Sequence, residues 1–414
     1  MATVVLVGTL DTKGPDYAFL AERLRAGGAE VIVVDAGLGT PAVISPDIPA
    51  ERVAAAAGTT VAALRSAGDR GAAVTAMGRG AAAVVGELAT GGGVDGVLAA
   101  GGSGGSSIAA QVMAALPVGL PKLLVSTMAS GDVGPYVGAK DVCVMYSVVD
   151  VAGINRISRL VLGNAAAAMV GMALARDQAR DQPRERAAAD GERPLVAASM
   201  FGVTTPAVEA ARSRLTNLGY EVLVFHATGG GGRSLEALAE AGLLAGVLDL
   251  TTTELADDLV GGVLSAGPDR LTAAGTAGVP QVIAPGALDM VNFGPRETVP
   301  GQFASRLLYI HNPTVTLMRT TAREMAELGA RIGRKAAAAT GPTEVFWPDR
   351  GVSALDADGQ AFYDPAADAA CRDALADELA AVGRALRRID AHINDPEFAE
   401  AMADRLHQMI QGGS

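Results

Sequence analysis

Two loops rich in glycine, hydroxyls and charge carry the strongest chemical signal in this chain. Gly101-Gly102-Ser103-Gly104-Gly105-Ser106-Ser107 follows an apolar strand pattern and leads into a helix over 108–116. Free amides at a helix start, with no Cβ atoms in the way, form a site for a phosphate or a carboxylate. No Gly-Lys-Ser/Thr closes the loop, so it is not a Walker loop. It also misses the dinucleotide fingerprint, because Ser107 stands where the third glycine belongs. Thr9-Leu10-Asp11-Thr12-Lys13-Gly14 follows the first strand pattern and offers two hydroxyls, a carboxylate and an ammonium. Lys13 could neutralise a phosphate, and Asp11 could hold a metal ion or a sugar hydroxyl. The competing reading is that Asp11 or Thr12 simply caps a helix. Asp35 ends the second strand pattern, where it suits either a ribose hydroxyl or a turn, and Ser126–Asp132 offers more hydroxyls for the same pocket.

A second set of polar loops lies in the C-terminal half. His226 is followed by Thr228 and the run Gly229, Gly230, Gly231, Gly232, and Asp249 leads into Thr251-Thr252-Thr253-Glu254. Asn292 and Arg296 follow a further strand, and His311 and Arg319 precede another helix. His226 or His311 with Glu254 could act as acid and base. Thr228, Gly229, Gly230, Thr251–Thr253, Asn292, Arg296 and Arg319 could bind an anionic substrate. Capping and turn roles compete at each of these positions. The two histidines are 85 positions apart and no HExxH occurs, so no metal site is expected. A Gly-x-Ser-x-Gly elbow is also absent.

The elements that must position these loops come as a repeat. Residues 4–40 read as strand, loop, amphipathic helix and strand, and the pattern returns 191 positions on, at 195–231. Pro15 then falls on Pro206, each where a helix begins. Glu30-Val31 falls on Glu221-Val222, and Gly96-Val97-Leu98 resembles Gly246-Val247-Leu248. Runs such as Val4–Val7, Val31–Val34, Val97–Ala100 and Leu123–Val125 are continuously apolar, as strands of a parallel sheet covered on both faces are. The expectation is an α/β protein of two similar Rossmann-like three-layer domains with mostly parallel sheets, in tandem. The domains are placed at 1–175 and 195–414, joined by a charged linker at 176–194, with extra C-terminal strands and helices in the second. Ligands of such sheets bind beyond the strand C-termini, at the switch in strand order.

Composition narrows the partners. The 33 basic residues against 45 acidic ones leave a net charge of -12, which argues against nucleic acid and anionic membranes. Glycine, at 52 of 414 residues, is about 13% of the chain, nearly twice the usual share. Cys143 and Cys371 form no pattern, and Val4–Val7 is too short for a signal peptide, which fits a cytoplasmic protein. The apolar stretch Leu160–Ala175 is broken by Gly163, Asn164 and Gly171 and reads as a buried helix.

Taken together, GTLDTKG, GGSGGSS, FHATGGGG, LDLTTTEL, PGALDMVNFG and HNPTVTLMRTT resemble an uncharacterised bacterial and plant protein family. That family includes the ATP-binding N-terminal region of a tomato mosaic virus resistance protein, an inhibitor of viral RNA replication. The resemblance covers nearly the whole chain and implies two Rossmann-like domains, dimeric association, and ATP, with or without Mg2+, in the N-terminal domain. It assigns ATP only to Thr9–Lys13 and Gly101–Ser107, and virus inhibition is not carried over. The expected function is therefore a nucleotide-binding homodimer, and a metabolic enzyme acting on a small anionic substrate in an interdomain cleft. Two alternatives stand beside it, a non-catalytic nucleotide-responsive protein and an ATP-independent lyase or hydrolase.

Overall fold

The computed structural model describes residues 1–41, 43–180 and 193–412. The chain divides into two compact units, Met1–Gly191 and Glu192–Ser414. In the first, β1 (Thr3–Gly8), β2 (Glu30–Asp35), β3 (Gly96–Gly101), β4 (Lys122–Ser126) and β5 (Val142–Tyr146) form a parallel sheet in the order β2-β1-β3-β4-β5. The four continuous apolar runs all fall in these strands, and alternate side chains feed two cores. Val5, Val97 and Leu124 pack with Val84 and Val112 from helices Arg70–Thr90 and Ser103–Ala114. Val4, Leu6 and Leu98 pack on the opposite face with Leu20, Leu24, Leu162 and Met169 from helices Leu10–Ala26 and Arg156–Arg180. Burying each such Val or Leu side chain contributes roughly 1.5–3 kcal/mol.

Helix Arg156–Arg180 contains the apolar stretch expected to be buried, and it runs five residues into the expected linker. Residues 181–192 of that linker lie outside the described residues. By length and composition Arg156–Ala179 could cross a membrane, yet it packs Leu162, Ala165, Ala166, Met169 and Ala173 into the domain core. Its other side leaves Leu160 61% exposed, so the helix is buried along one face only.

The second unit repeats the plan. Its strands in chain order are β6 (Leu195–Met200), β7 (Glu221–His226), β8 (Gly246–Thr251), β9 (Gln281–Gly286), β10 (Met290–Phe293), β11 (Leu308–Asn312), β12 (Val315–Arg319), β13 (Thr343–Pro348) and β14 (Leu386–Ile389). Six of them form a parallel sheet in the order β14-β13-β9-β8-β6-β7. Counting only these six, the strand order matches that of the first domain with one strand added. The repeat is not gapless, however. Thr3 lies opposite Glu30 and Leu195 lies opposite Glu221, so the first strand is offset by 192 and the second by 191. The first copy thus holds one extra residue between its strands. That segment includes a kink at Lys13 (φ -121°, ψ 18°), and Pro15 lies just past it. The antiparallel sheet β10-β12-β11 was not legible in the sequence and is inserted between β9 and β13.

In the first sheet, strand order reverses between β1 and β3. Their pairing runs from Val4 opposite Gly96 to Leu6 opposite Leu98, and no pairing continues beyond it. Tyr17 fills the parting. Its Oη lies 2.8 Å from the carbonyl oxygens of both Val7 and Ala100 and accepts the Ala100 amide at 3.0 Å. Gly8 makes room for the phenol, since a Cβ there would sit 1.9 Å from Tyr17 Oη. Tyr17→Phe keeps the ring and strands these buried backbone groups. We expect urea unfolding followed by far-UV circular dichroism to show a loss of about 1–3 kcal/mol. A change below about 0.5 kcal/mol would mean that the hydroxyl does not hold the two strands at the reversal.

Candidate functional site

The loops that follow β1 and β3 meet above this parting. Thr9, Asp11, Thr12 and Lys13 line one side of a cavity of about 550 Å³, and Gly102, Ser103, Gly104 and Gly105 line another. Small-molecule sites span roughly 300–1,000 Å³, so the volume suits a mononucleotide. The helix starts at Ser103, earlier than the sequence suggested, with Gly102 as its N-cap and no side chain capping its first turn. Its first amides are therefore available at the positive end of the helix dipole. Gly101 is needed as glycine for packing, because a Cβ would come 3.1 Å from the Gly105 Cα. Ser106 and Ser107 do not line the cavity. Ser106 shares a 2.7 Å hydrogen bond with Ser126, and Ser107 Oγ donates to the Ser103 carbonyl at 2.9 Å.

Two cations that the sequence reading passed over complete the wall. Arg65 ends helix Val61–Ala67 and Arg70 begins Arg70–Thr90, on either side of Gly68, which is left-handed at φ +66°. Neither guanidinium has an ion-pair partner among the described residues. The signal available was Arg-Ser-Ala-Gly-Asp-Arg, a glycine turn between two alanine-rich helices with a base on each side. Leu38, Leu64, Val74, Met77 and Ile108 form the apolar part of the lining.

The charged residues expected from the first loop have other work. The Lys13 ammonium donates to the Val151 carbonyl, although its stem lines the cavity. Asp11 Oδ2 accepts the Leu38 and Gly39 amides at 3.2 and 2.6 Å, fastening the β2 loop over the β1 loop. Its Oδ1 is buried without a hydrogen-bond partner, packed where a Gly37 Cβ would sit at 2.5 Å. Asp35 accepts the Leu10 and Gly37 amides at 3.1 and 2.8 Å and is buried, which pushes its carboxyl above the ordinary range. Asp35 therefore caps the first helix and closes the turn at Gly37, the turn role being one of the two its position suggested. Thr9 and Thr12 share a 3.0 Å hydroxyl contact at the cavity edge.

In the second domain most of the expected site residues are held by other groups of the same domain. Arg270, fully buried, grips both oxygens of Asp249 at 2.5 and 2.6 Å, Glu254 Oε2 at 2.7 Å and Glu236 Oε1 at 3.0 Å. Glu254 Oε1 accepts the Gly229 and Gly232 amides at 2.6 and 3.1 Å. Gly232 has to be glycine, since its Cβ would lie 2.1 Å from the Glu254 carboxylate. Both Glu254 oxygens are engaged within the domain, and its acid–base pairing with a histidine is not what the fold builds. His226 ends β7 and His311 lies on β11, both exposed, and neither imidazole bonds to Glu254 among the described residues. Thr251, Thr252 and Thr253 are fully buried and bond to Thr204, the Ala284 carbonyl and the Met290 carbonyl. Asn292 donates to Asp257 at 2.6 Å, and burial pushes the Asp257 carboxyl up to about 7. Arg319 is buried against Asp356 and Asp368, whereas Arg296 and Thr228 are exposed and Gly230 starts helix Gly230–Glu240.

By sequence, residues 2–178 match the N-terminal domain, and residues 193–410 the C-terminal domain, of the uncharacterised protein family UPF0261, and the chain belongs to that family. It is 48% identical over 408 residues to a UPF0261 protein of Clostridium tetani, covering 99% of each chain. It is 45% identical over 303 residues to the ToMV resistance protein Tm-1(GCR237) of Solanum lycopersicum, covering 73% of this chain and 40% of the tomato protein. Among solved structures, the glycosyltransferase SsfS6 of Streptomyces sp. SF2575, complexed with thymidine diphosphate, is 16% identical with a TM-score of 0.19. That match covers 98% of this chain and all of the other.

The Arg270 network is open to a direct check, because the sole tryptophan, Trp347, is buried on β13 and reports on the second domain alone. Arg270→Ala leaves three carboxylates without their cation, two of them fully buried. It should lower stability by about 3–5 kcal/mol in denaturant unfolding followed by Trp347 fluorescence. An unchanged midpoint would mean that the carboxylates do not depend on the arginine.

Proposed function

We propose that the first domain binds a nucleotide in the crevice between the C-terminal ends of β1 and β3, and that ATP is its ligand, as the family resemblance implies. One observation carries the reading. The uncapped start of helix Ser103–Ala114, the unpaired Arg65 and Arg70, the Thr9 and Thr12 hydroxyls and an apolar wall face a single cavity at the switch in strand order. Helix amides and guanidinium groups suit phosphate oxygens, and Leu64, Val74, Met77 and Ile108 suit an aromatic base. Phosphate charge would be met by Arg65 and Arg70, with Lys13 held back on Val151. Asp11 offers magnesium no exposed oxygen, since its Oδ2 is taken by two amides and its Oδ1 is buried. Two unpaired thiols, Cys143 and Cys371, suit a reducing cytoplasmic setting.

How the nucleotide is used is the next question. An enzyme acting on a small anionic substrate is one reading, but Gly229, Thr251, Thr252, Thr253, Asn292 and Arg319, expected to hold that substrate, are already engaged by other groups of the second domain. That observation favours a nucleotide-responsive binding protein over acid–base catalysis by His226 and Glu254.

Calorimetric titration with ATP tests the site. Arg70→Ala should weaken binding by about tenfold or more, the loss expected for a charge-assisted phosphate contact. Gly104→Val should abolish it without unfolding the domain, because a Cβ there meets only Val74 at 3.7 Å and Arg70 at 3.9 Å. No heat with millimolar ATP, or equal affinity in all three proteins, would remove the nucleotide from this crevice.

A further inference from the structure

Three carboxyls, two of them fully buried, gather about one guanidinium in the second domain. Arg319 ends β12, the central strand of the antiparallel sheet. Its Nη2 lies 3.0 Å from Asp368 Oδ1 and 3.5 Å from Asp356 Oδ1, and its Nε donates to the Phe362 carbonyl at 2.8 Å. Asp356, in the loop after β13, also accepts the Val352 amide at 3.0 Å through Oδ2. Asp289, in the turn after β9, accepts Ser353 Oγ at 2.7 Å through Oδ2, while its Oδ1 is buried with no partner. Cys371 lies beneath Asp368 on helix Pro365–Ala380, and Arg306, paired with Glu324, holds the Arg319 carbonyl from outside. His392 reaches the rim through the Ser353 carbonyl at 2.9 Å. Fully ionised, this group would carry three negative charges against one positive charge in a nearly dry setting, which its surroundings cannot stabilise.

We propose that Asp289, Asp356, Asp368 and Arg319 form a proton-held latch, which retains a proton among its carboxyls at neutral pH and loosens the antiparallel sheet when that proton leaves. Asp368 is the route for exchange, since its side chain is 15% exposed and Asp289 and Asp356 are fully buried. Burial, reinforced by Asp356 and opposed by Arg319, pushes the Asp368 carboxyl up to about 8, and the same causes raise Asp289. A carboxyl that holds its proton to higher pH when folded than when unfolded stabilises the fold most at low pH. Its contribution declines from the ordinary carboxylate range upward and is spent once pH passes the folded value. This direction is opposite to that of an ordinary salt bridge, whose carboxylate stabilises the fold once it is ionised.

Thermal unfolding of the full chain at about pH 6 and about pH 9, for wild type and Asp368→Asn, separates the two cases. The Asn amide mimics the protonated acid, keeping an oxygen for Arg319 and a donor for Asp356. The latch predicts a variant at least as stable as the wild type near pH 6, a wild-type fall of roughly 3–6 °C near pH 9, and a smaller fall in the variant. Asp257, another raised carboxyl, contributes equally to both proteins and cancels in the comparison. Hydrogen exchange over Leu308–Arg319 should quicken near pH 9 in the wild type more than in the variant. A variant already less stable near pH 6, or a wild type whose Tm does not fall, would make Asp368 an ordinary ionised partner of Arg319. Should the variant not fold, the 13C shift of the wild-type Asp368 carboxyl decides. It is that of the acid near pH 6 if the latch exists, and of the carboxylate if it does not.

Discussion

A parallel sheet whose crossovers leave in opposite directions must open a gap where the strand order reverses, and the first domain is organised around that gap. β1 and β3 pair for three residue pairs and then part around Tyr17, whose hydroxyl serves backbone groups of both strands. Gly8 exists to admit the phenol, and Gly101 to let the next helix start close to its strand. The loops beyond are held apart by Asp35 capping the first helix and by Asp11 gripping the loop after β2. What remains between them is a cavity with helix amides on its wall and two arginines that have no ion-pair partner among the described residues. The buried carboxylates of this domain thus shape the site, and the exposed cations give it a charge preference.

The second domain meets the same constraint and resolves it by filling the gap. Where β6 and β8 part, Ser199 bridges to Asp249 at 2.7 Å and accepts the Thr251 amide at 2.9 Å. Arg270 then closes the space by gathering Asp249, Glu254 and Glu236. The space left as a cavity in one copy of the fold is taken by a side chain in the other. The glycine run after β7 follows from this packing, since Gly232 clears Glu254 and Gly231 clears the His226 carbonyl. The network gathers three acids about one guanidinium, and backbone amides satisfy further carboxyl oxygens of Glu254 and Glu236.

Much of this was legible in the sequence, and the failures share a physical cause. Continuous apolar runs marked the parallel strands because both faces are covered, and the repeat marked the two domains. The short strand Met290–Phe293 read as a loop because the antiparallel insert is only four residues wide there. The loops Thr9–Lys13 and Gly101–Ser107 were expected on one sheet edge, and Thr9, Asp11, Thr12 and Lys13 from one and Gly102 to Gly105 from the other line one cavity. Glu254, Asn292 and Arg319 carried equally suggestive chemistry, yet a sequence does not distinguish polar groups that face a ligand from polar groups that satisfy each other. Arg270, in a turn-like segment, gave no sign that it would organise three acids. Arg65 and Arg70 lay in alanine-rich helices whose period points to packing, and only their position beside Gly68 makes them part of the site.

The central claim is that phosphates belong at the start of helix Ser103–Ala114. Backbone amide chemical shifts of the labelled full chain, followed during titration with ADP, test it most directly. The account predicts that the largest changes fall on Ser103, Gly104 and Gly105 and on the Arg65 and Arg70 side-chain signals. Shifts that instead centre on Gly229–Gly232 and Thr251–Thr253, with the first domain silent, would contradict it and return the search to the second domain.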